Sequence, residues 1–97
     1  TEMHQEPHVL NFGRAGQGPE IVAGLALAIE PMITRGSART KVLEDDWTVV
    51  STDSSRGAHF EHSYVICPDG KPFVLTAIDG GKSDLEHRNI EISSLLS

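Results

Sequence analysis

The chain has 97 residues, enough for one small domain that buries roughly 60 to 70% of its unfolded surface. Its 14 acidic and 8 basic side chains give a net charge of −6, which opposes binding to nucleic-acid phosphates and anionic membranes. It has a single cysteine, no apolar run of the roughly 20 residues that cross a bilayer and no secretory pattern, so we expect a cytoplasmic protein with neither nucleic acid nor membrane as partner.

The first predicted strand spans about residues 25–33 and follows a glycine-rich loop at residues 11–24. Alternate residues of a strand share a face, so Glu30 is expected on the same face as Ala26 and Ala28. An ionised carboxylate among apolar neighbours is costly unless a positive or hydrogen-bonding group meets it. The pattern therefore predicts a partner for Glu30, either a basic side chain or a metal ion.

Three further strands are predicted, and two of them form a hairpin. β-Branched and aromatic residues indicate a strand at about residues 46–52, and a second alternating segment covers residues 58–67. The letters PDGK at residues 68–71 place proline and glycine where a tight turn requires them, and the return strand begins at Pro72. The body of the chain is therefore predicted to be mostly antiparallel β-sheet.

The last predicted segment, residues 79–97, is a polar tail, which we interpret as loosely attached to residues 1–78. Ser83 and Glu86 have the spacing of a capping box, which predicts a short helix. Because this helix has few apolar residues to bury, little packing is expected to hold it.

Two glutamates are the candidates for a metal site. Glu61, like Glu30, is a single acid in a β-forming segment with histidines nearby. Carboxylates that converge on one face repel unless a proton or cation lies between them, and carboxylate with imidazole suits Zn, Mn, Fe or Co better than calcium. Taken singly, however, a strand glutamate is more often exposed and paired with a basic residue. The spacing alone leaves both interpretations open.

Four blocks of the sequence carry a more specific signal than its periodicity. They read MHQEPHVLNFG, GLALAIEPMI, KVLEDDWTVVSTD and AHFEHSYVICPDGKPFVLT. In this order and with these gaps, they closely resemble the carboxyl-terminal half of type I methionine aminopeptidases. The resemblance covers roughly residues 2–76, and the tryptophan block is most similar to the bacterial type I enzymes.

The resemblance implies an α+β pita-bread fold and an enzyme that releases the amino-terminal methionine of peptides and nascent proteins. In this family two divalent ions (Mn, Fe, Co or Zn) are held by two aspartates, one histidine and two glutamates, and these glutamates match Glu30 and Glu61. The catalytic histidine, which contacts the substrate's scissile amide, matches His4. Met3 and Trp47 match positions that shape the substrate pocket for the methionine side chain.

The other three metal ligands of the family lie upstream of the MHQEP block. Because the chain begins with Thr1 and not with methionine, we expect residues 1–78 to be the carboxyl-terminal part of a longer catalytic domain, followed by the tail at 79–97. The family ligand set therefore implies that the chain needs an amino-terminal half and is inactive alone.

Two other functions are compatible with the residues. One is a non-catalytic pita-bread domain that binds peptide or protein, although such a domain has no chemical need for Glu30, Glu61 and His4. The other is a small independent β domain whose acids are ordinary surface residues.

Overall fold

The computed structural model describes residues 2–97, so Thr1, where the predicted catalytic part begins, lies outside the described residues. The chain divides into two compact units, a first unit of Thr1–Ile29 with His62–Ser97 and a second unit of Glu30–Glu61. The elements are β1 (Ala26–Ile29), β2 (Met32–Thr34), β3 (Thr40–Val42), β4 (Val49–Ser51), β5 (Gly57–His59), β6 (His62–Ile66), β7 (Pro72–Val74) and α1 (Lys82–Glu86). The four strand pairs in residues 2–97 are antiparallel, so the prediction of a mostly antiparallel sheet with little helix is confirmed.

The first unit contains a three-stranded sheet in the order β1-β6-β7. The predicted hairpin is its β6–β7 part, in which Tyr64 lies opposite Val74. At the turn, the Cys67 N–H donates to the Lys71 carbonyl oxygen at 2.9 Å, and the Gly70 N–H donates to the Cys67 oxygen at 2.8 Å. Gly70 has a φ of 77°, which a glycine adopts without strain. Local turn chemistry therefore explains why this hairpin was predictable.

The segment after β7 is attached to the hairpin more firmly than its composition suggested. Ser93 is fully buried, its N–H donates to the Pro72 carbonyl oxygen at 2.9 Å, and its hydroxyl donates to Asp69 Oδ2 at 2.9 Å. Lys71 Nζ lies 2.8 Å from Glu91 Oε1. The expectation of a loosely attached tail is wrong at these positions, because backbone and hydroxyl groups supply the contacts that apolar side chains do not.

Helix α1 begins differently from the expected capping box. Its N-cap is Gly81, with a φ of 85° and no side-chain cap, rather than Ser83. The carboxylate of Asp79 accepts hydrogen bonds from the Gly81 N–H, the Ser83 N–H and the Ser83 hydroxyl, at 3.0, 2.9 and 2.7 Å. An aspartate before the helix therefore organises the turn.

The second unit contains two two-stranded sheets, β2–β5 and β3–β4. The predicted strand at 25–33 is interrupted after Ile29, where Glu30 precedes a proline, and β2 resumes at Met32. Proline has no N–H to donate to a ladder, which accounts for the interruption. The short strand β3 was not predicted, because its sequence TKV is brief and two of its three residues are polar.

Buried apolar residues are few in the described chain, namely Cys67 and Val74, both in the first unit. Every residue of the second unit is exposed or partly exposed. Among residues 2–97, no helix has the length and apolar character needed to cross a membrane.

Candidate metal centre

The strand pair β2–β5 explains how three chemically active side chains come together. Met32 lies opposite His59 in this antiparallel pair, and extending the register by two residues places Glu30 opposite Glu61. Residues two apart in an extended chain point to the same face, as do residues that lie directly opposite. Glu30 lies two residues before β2 and Glu61 two residues after β5, so both lie at the Met32–His59 end of this pair.

The side-chain atoms confirm this grouping. His59 Nε2 lies 3.0 Å from Glu30 Oε2, at hydrogen-bond distance, and the two side chains are 47% and 39% exposed. Glu30, His59 and Glu61 each offer one ligand atom, and these atoms lie within 4.8 Å of one another. Glu61 is exposed. The imidazole of His59 thus provides the partner that the sequence pattern required for Glu30.

The arrangement fits a divalent transition metal. Nitrogen and carboxylate ligands bind such an ion at about 2.0–2.2 Å, so two ligand atoms on one ion lie roughly 3 to 4.4 Å apart. The ligand atoms of the three side chains lie within 4.8 Å of one another, which is close to this range. Two carboxylate oxygens and one imidazole nitrogen favour Zn, Mn, Fe or Co over calcium.

The remaining predicted site residues lie elsewhere. His4 and Met3 belong to the first unit, where Met3 is 63% exposed and His4 has a φ of 62° in a loop. Trp47 belongs to the second unit, follows β3 and is 70% exposed. The structure brings Glu30 and Glu61 together, whereas the roles assigned to His4, Met3 and Trp47 stay predictions.

The turn that carries Trp47 is held by an aspartate. Asp45 accepts hydrogen bonds from the Trp47 N–H at 3.1 Å and the Thr48 N–H at 2.9 Å, and from the Thr48 hydroxyl. The hydroxyl of Thr48, and then the two N–H groups, hold the pKa of Asp45 below its usual value. Asp45 is therefore a structural residue of this turn, committed to backbone contacts.

An apolar groove of about 640 Å³ lies between the two sheets of the second unit. Its lining includes Met32, Ile33, Leu43, Val49 and, at the metal-site side, His59. His59 therefore belongs both to the candidate metal centre and to the lining of this groove.

His59 is the one member of the three-residue group that the sequence did not single out. Its position two residues before Glu61 was the available signal, because alternation places both side chains on one face. Histidines are common on protein surfaces, and spacing alone did not distinguish His59 from His62.

Comparisons with known proteins agree with these features. A methionine aminopeptidase of Clostridium perfringens is 51% identical over 77 residues, which are 79% of this chain and 30% of that protein. Methionine aminopeptidase 1 of Mycobacterium tuberculosis is 49% identical over 75 residues, 77% of this chain and 28% of that protein. The crystal structure of a methionine aminopeptidase from Thermotoga maritima has a TM-score of 0.66 and 44% identity, covering 75% of this chain and 29% of that chain. No protein-family model matches.

The antiparallel sheets and the likeness to the Thermotoga maritima structure confirm the predicted pita-bread fold class. Within that class, the resemblance to the carboxyl-terminal part of methionine aminopeptidases is confirmed, and this chain is similar to those proteins. The chain spans about three tenths of the length of the curated relatives it matches.

Proposed function

We propose that this chain forms part of a metal-dependent aminopeptidase that releases the amino-terminal methionine from peptides and nascent proteins in the cytoplasm. The observation that carries the proposal is the convergence of Glu30 and Glu61 on one face of the second unit. The likeness of the chain's sequence to methionine aminopeptidases supports the same activity.

The chain's own residues have distinct roles in this proposal. Glu30 and Glu61 would hold divalent ions, two in a complete site, with Mn, Fe, Co and Zn all compatible with the donor set. When bound, such ions lower the pKa of a water molecule and so supply a nucleophile for amide hydrolysis. His4 would donate a hydrogen bond to the carbonyl oxygen of the scissile amide as it gains negative charge. Met3 and Trp47 would line the space for the methionine side chain.

The complete site requires more polypeptide than these residues. The family pattern has five metal ligands, and Glu30 and Glu61 are the two that this sequence matches. Two carboxylates alone hold an ion weakly and orient it poorly. We therefore place the other ligands, two aspartates and a histidine, in an amino-terminal half that pairs with this chain.

A chimeric enzyme tests the proposal. The 77 residues of the Clostridium perfringens protein that match this chain are replaced by the chain's own residues, and cleavage of a methionyl peptide is measured with Mn or Co. We expect turnover, and we expect Glu30→Gln and Glu61→Gln each to reduce kcat/KM at least roughly 100-fold. Glu44→Gln, an exposed acid of the β3–β4 turn, is the matched control and should leave turnover unchanged.

The alternative, a non-catalytic pita-bread domain that binds peptide or protein, gives a different result. The folded chimera would then bind a methionyl peptide without cleaving it, and Glu30→Gln would leave that binding intact. A folded chimera without turnover would refute the proposed activity.

A further inference from the structure

We propose that residues 77–93, named here the edge cover, close the outer edge of β7, and that the partner this edge fits when it is open is β7 of a second copy of the chain. The edge cover lies outside the family resemblance at residues 2–76. Neither the edge cover nor its partner depends on the proposed aminopeptidase activity.

The backbone of β7 presents one edge to β6 and the other away from it. The Leu75 N–H donates to the Ser63 carbonyl oxygen at 2.9 Å, so the backbone groups of Leu75 face β6. Successive residues of a strand direct their backbone groups to opposite edges. The outer edge of β7 is therefore formed by the backbone groups of Pro72 and Val74.

The edge cover engages each hydrogen-bonding group of this outer edge. The Val74 N–H donates to the Gly80 carbonyl oxygen at 3.0 Å, and the Val74 carbonyl oxygen accepts from the Ala77 N–H at 3.3 Å. The Pro72 carbonyl oxygen accepts from the Ser93 N–H at 2.9 Å, and a proline has no N–H of its own. An open strand edge is a template for pairing with another chain, and here the chain itself closes it.

The edge cover is held against the sheet at two separate points. At the first, Gly80 lies so close to β7 that a Cβ there would overlap the ring of Phe73. At the second, the fully buried Ser93 donates its hydroxyl to Asp69 Oδ2 at 2.9 Å. Both points must give way before the outer edge of β7 is free along its length.

The open edge is complementary to itself. Two antiparallel copies of β7, related by a twofold axis at Phe73, place Pro72 of each copy opposite Val74 of the other. In that register each Pro72 carbonyl oxygen accepts a hydrogen bond from the Val74 N–H of the other copy. One donor and one acceptor from each copy are thereby satisfied.

A second copy also fits this edge better than an arbitrary extended peptide does. A peptide strand would place a carbonyl oxygen opposite the nitrogen of Pro72, where no N–H meets it. In a second copy, the carbonyl oxygen at that place belongs to Val74, and the Ala77 N–H of the same copy already donates to it. The proline therefore selects against most added strands and leaves its own copy acceptable.

Two substitutions in the 97-residue chain open the edge at its two points. Gly80→Ala adds a Cβ that does not fit beside Phe73, which displaces the Gly80 carbonyl oxygen from the edge. Ser93→Pro removes the N–H that donates to Pro72. The matched control is Gly70→Ala, because its φ of 77° imposes a backbone strain similar to that at Gly80, where φ is 66°, with nothing within 4 Å of the new Cβ.

Amide hydrogen exchange, followed by NMR, reports on the two edges of β7 separately. The Val74 N–H belongs to the outer edge and the Leu75 N–H to the inner edge, so the ratio of their exchange rates is insensitive to the stability of the sheet as a whole. In the dilute double variant Gly80→Ala/Ser93→Pro, we expect the Val74-to-Leu75 ratio to rise at least roughly tenfold above the wild-type ratio. In Gly70→Ala the ratio should keep its wild-type value.

The dependence on protein concentration identifies the partner. Because a dimer forms by mass action, raising the concentration of the double variant about fiftyfold should lower the ratio at least roughly fivefold, and sedimentation velocity should show a dimer. The wild-type ratio should not depend on concentration. A wild-type ratio in the dilute double variant would refute the edge cover. A ratio that stays high at every concentration, in a monomeric double variant, would refute the second copy as partner.

Discussion

The contact between Glu30 and His59 joins Nε2 and Oε2 at 3.0 Å, beside the β2–β5 pair. Both side chains are partly exposed, at 39% and 47%, so water screens their attraction. Exposed ion pairs typically contribute only about 0–1 kcal/mol to stability. This contact is therefore expected to contribute little to stability, whatever role Glu30 has in the proposed metal site.

This reasoning predicts a separation between stability and metal binding. Glu30→Gln should leave the urea midpoint of the metal-free 97-residue chain nearly unchanged, because an exposed pair contributes little. The same substitution should weaken Mn²⁺ binding to the chimera at least roughly tenfold. A large loss of stability without metal would show that Glu30 has a structural role instead.

Ser93 is the contrasting residue, since its burial is complete and both its N–H and its hydroxyl are hydrogen-bonded. Its hydroxyl donates to Asp69 Oδ2 at 2.9 Å and accepts from the Leu95 N–H at 3.2 Å. Ser93→Ala removes both contacts, so the free energy of unfolding should fall by about 1–3 kcal/mol. Urea unfolding measures the loss, and Ser94→Ala, at an exposed neighbour, should cost much less. Equal effects would contradict this account.

At the scale of elements, the approach to α1 depends on the ionised form of Asp79. The Ser83 hydroxyl, followed by the Ser83 N–H, lowers the pKa of Asp79 to about 2, from a usual value of 3.8. A carboxylate with a lowered pKa in the folded state contributes stability above its unfolded pKa, and that contribution disappears as the pH falls through the folded pKa.

Asp79→Asn therefore has a pH-dependent cost. The variant should be less stable than the wild type above about pH 4, and the difference should shrink as the pH falls towards 2. Urea unfolding across this range gives the difference, while NMR titration of the carboxyl carbon gives the pKa of Asp79 itself. The difference in stability between variant and wild type is measured at steps of roughly 1 pH unit. A difference that stays constant from pH 6 to pH 2 would show that the charge of Asp79 is not involved.

Gly81, the N-cap of α1, offers a test that distinguishes backbone strain from steric crowding by a side chain. Gly81 has a φ of 85°, and a Cβ there would lie 2.5 Å from Val74 Cγ2. Gly70 has a similar φ of 77° with nothing within 4 Å of a Cβ. Both alanine variants bear the backbone strain, of about 1–2 kcal/mol. Gly81→Ala should cost about 1–3 kcal/mol more in urea unfolding, because Val74 is buried and cannot move away freely.

Elements set by local chemistry were predictable from the sequence. The hairpin follows from alternation and the PDGK turn, both of which act within a few residues. The start of α1 at Lys82, after the N-cap Gly81, and the burial of Ser93 were not predictable in the same way, because the first depends on competition between caps and the second on partners distant in sequence.

The candidate site was predictable in part for the same reason. Glu30 and Glu61 could be selected because acids within β-forming segments are unusual and because both fall in motifs of a known family. His59 required the register of β2 with β5, which pairs segments about 27 residues apart. Alternation along the strand places His59 on the same face as Glu61, but the register of β2 with β5 was needed to show that Glu30 is its neighbour.

At the scale of the whole molecule, the second unit leaves many apolar side chains uncovered. Its most exposed large apolar side chains are Met32 (65%), Ile33 (69%), Trp47 (70%) and Phe60 (76%). Apolar surface of this extent is typical of a region that another polypeptide segment covers. This exposure agrees with the chain spanning about three tenths of the length of the proteins it matches. It also agrees with the proposal that an amino-terminal half completes the site.

The 97-residue chain alone is therefore expected to show no aminopeptidase activity on a methionyl peptide with added Mn or Co, even where it binds an ion. Binding needs only a few ligand atoms, whereas hydrolysis also needs a second ion, an oriented substrate and exclusion of water from the site. Release of methionine is measured with the purified chain and, in parallel, with the chimera. Turnover by the isolated chain that Glu30→Gln abolishes would contradict this expectation, since Glu30, His59 and Glu61 would then suffice for the chemistry without further ligands.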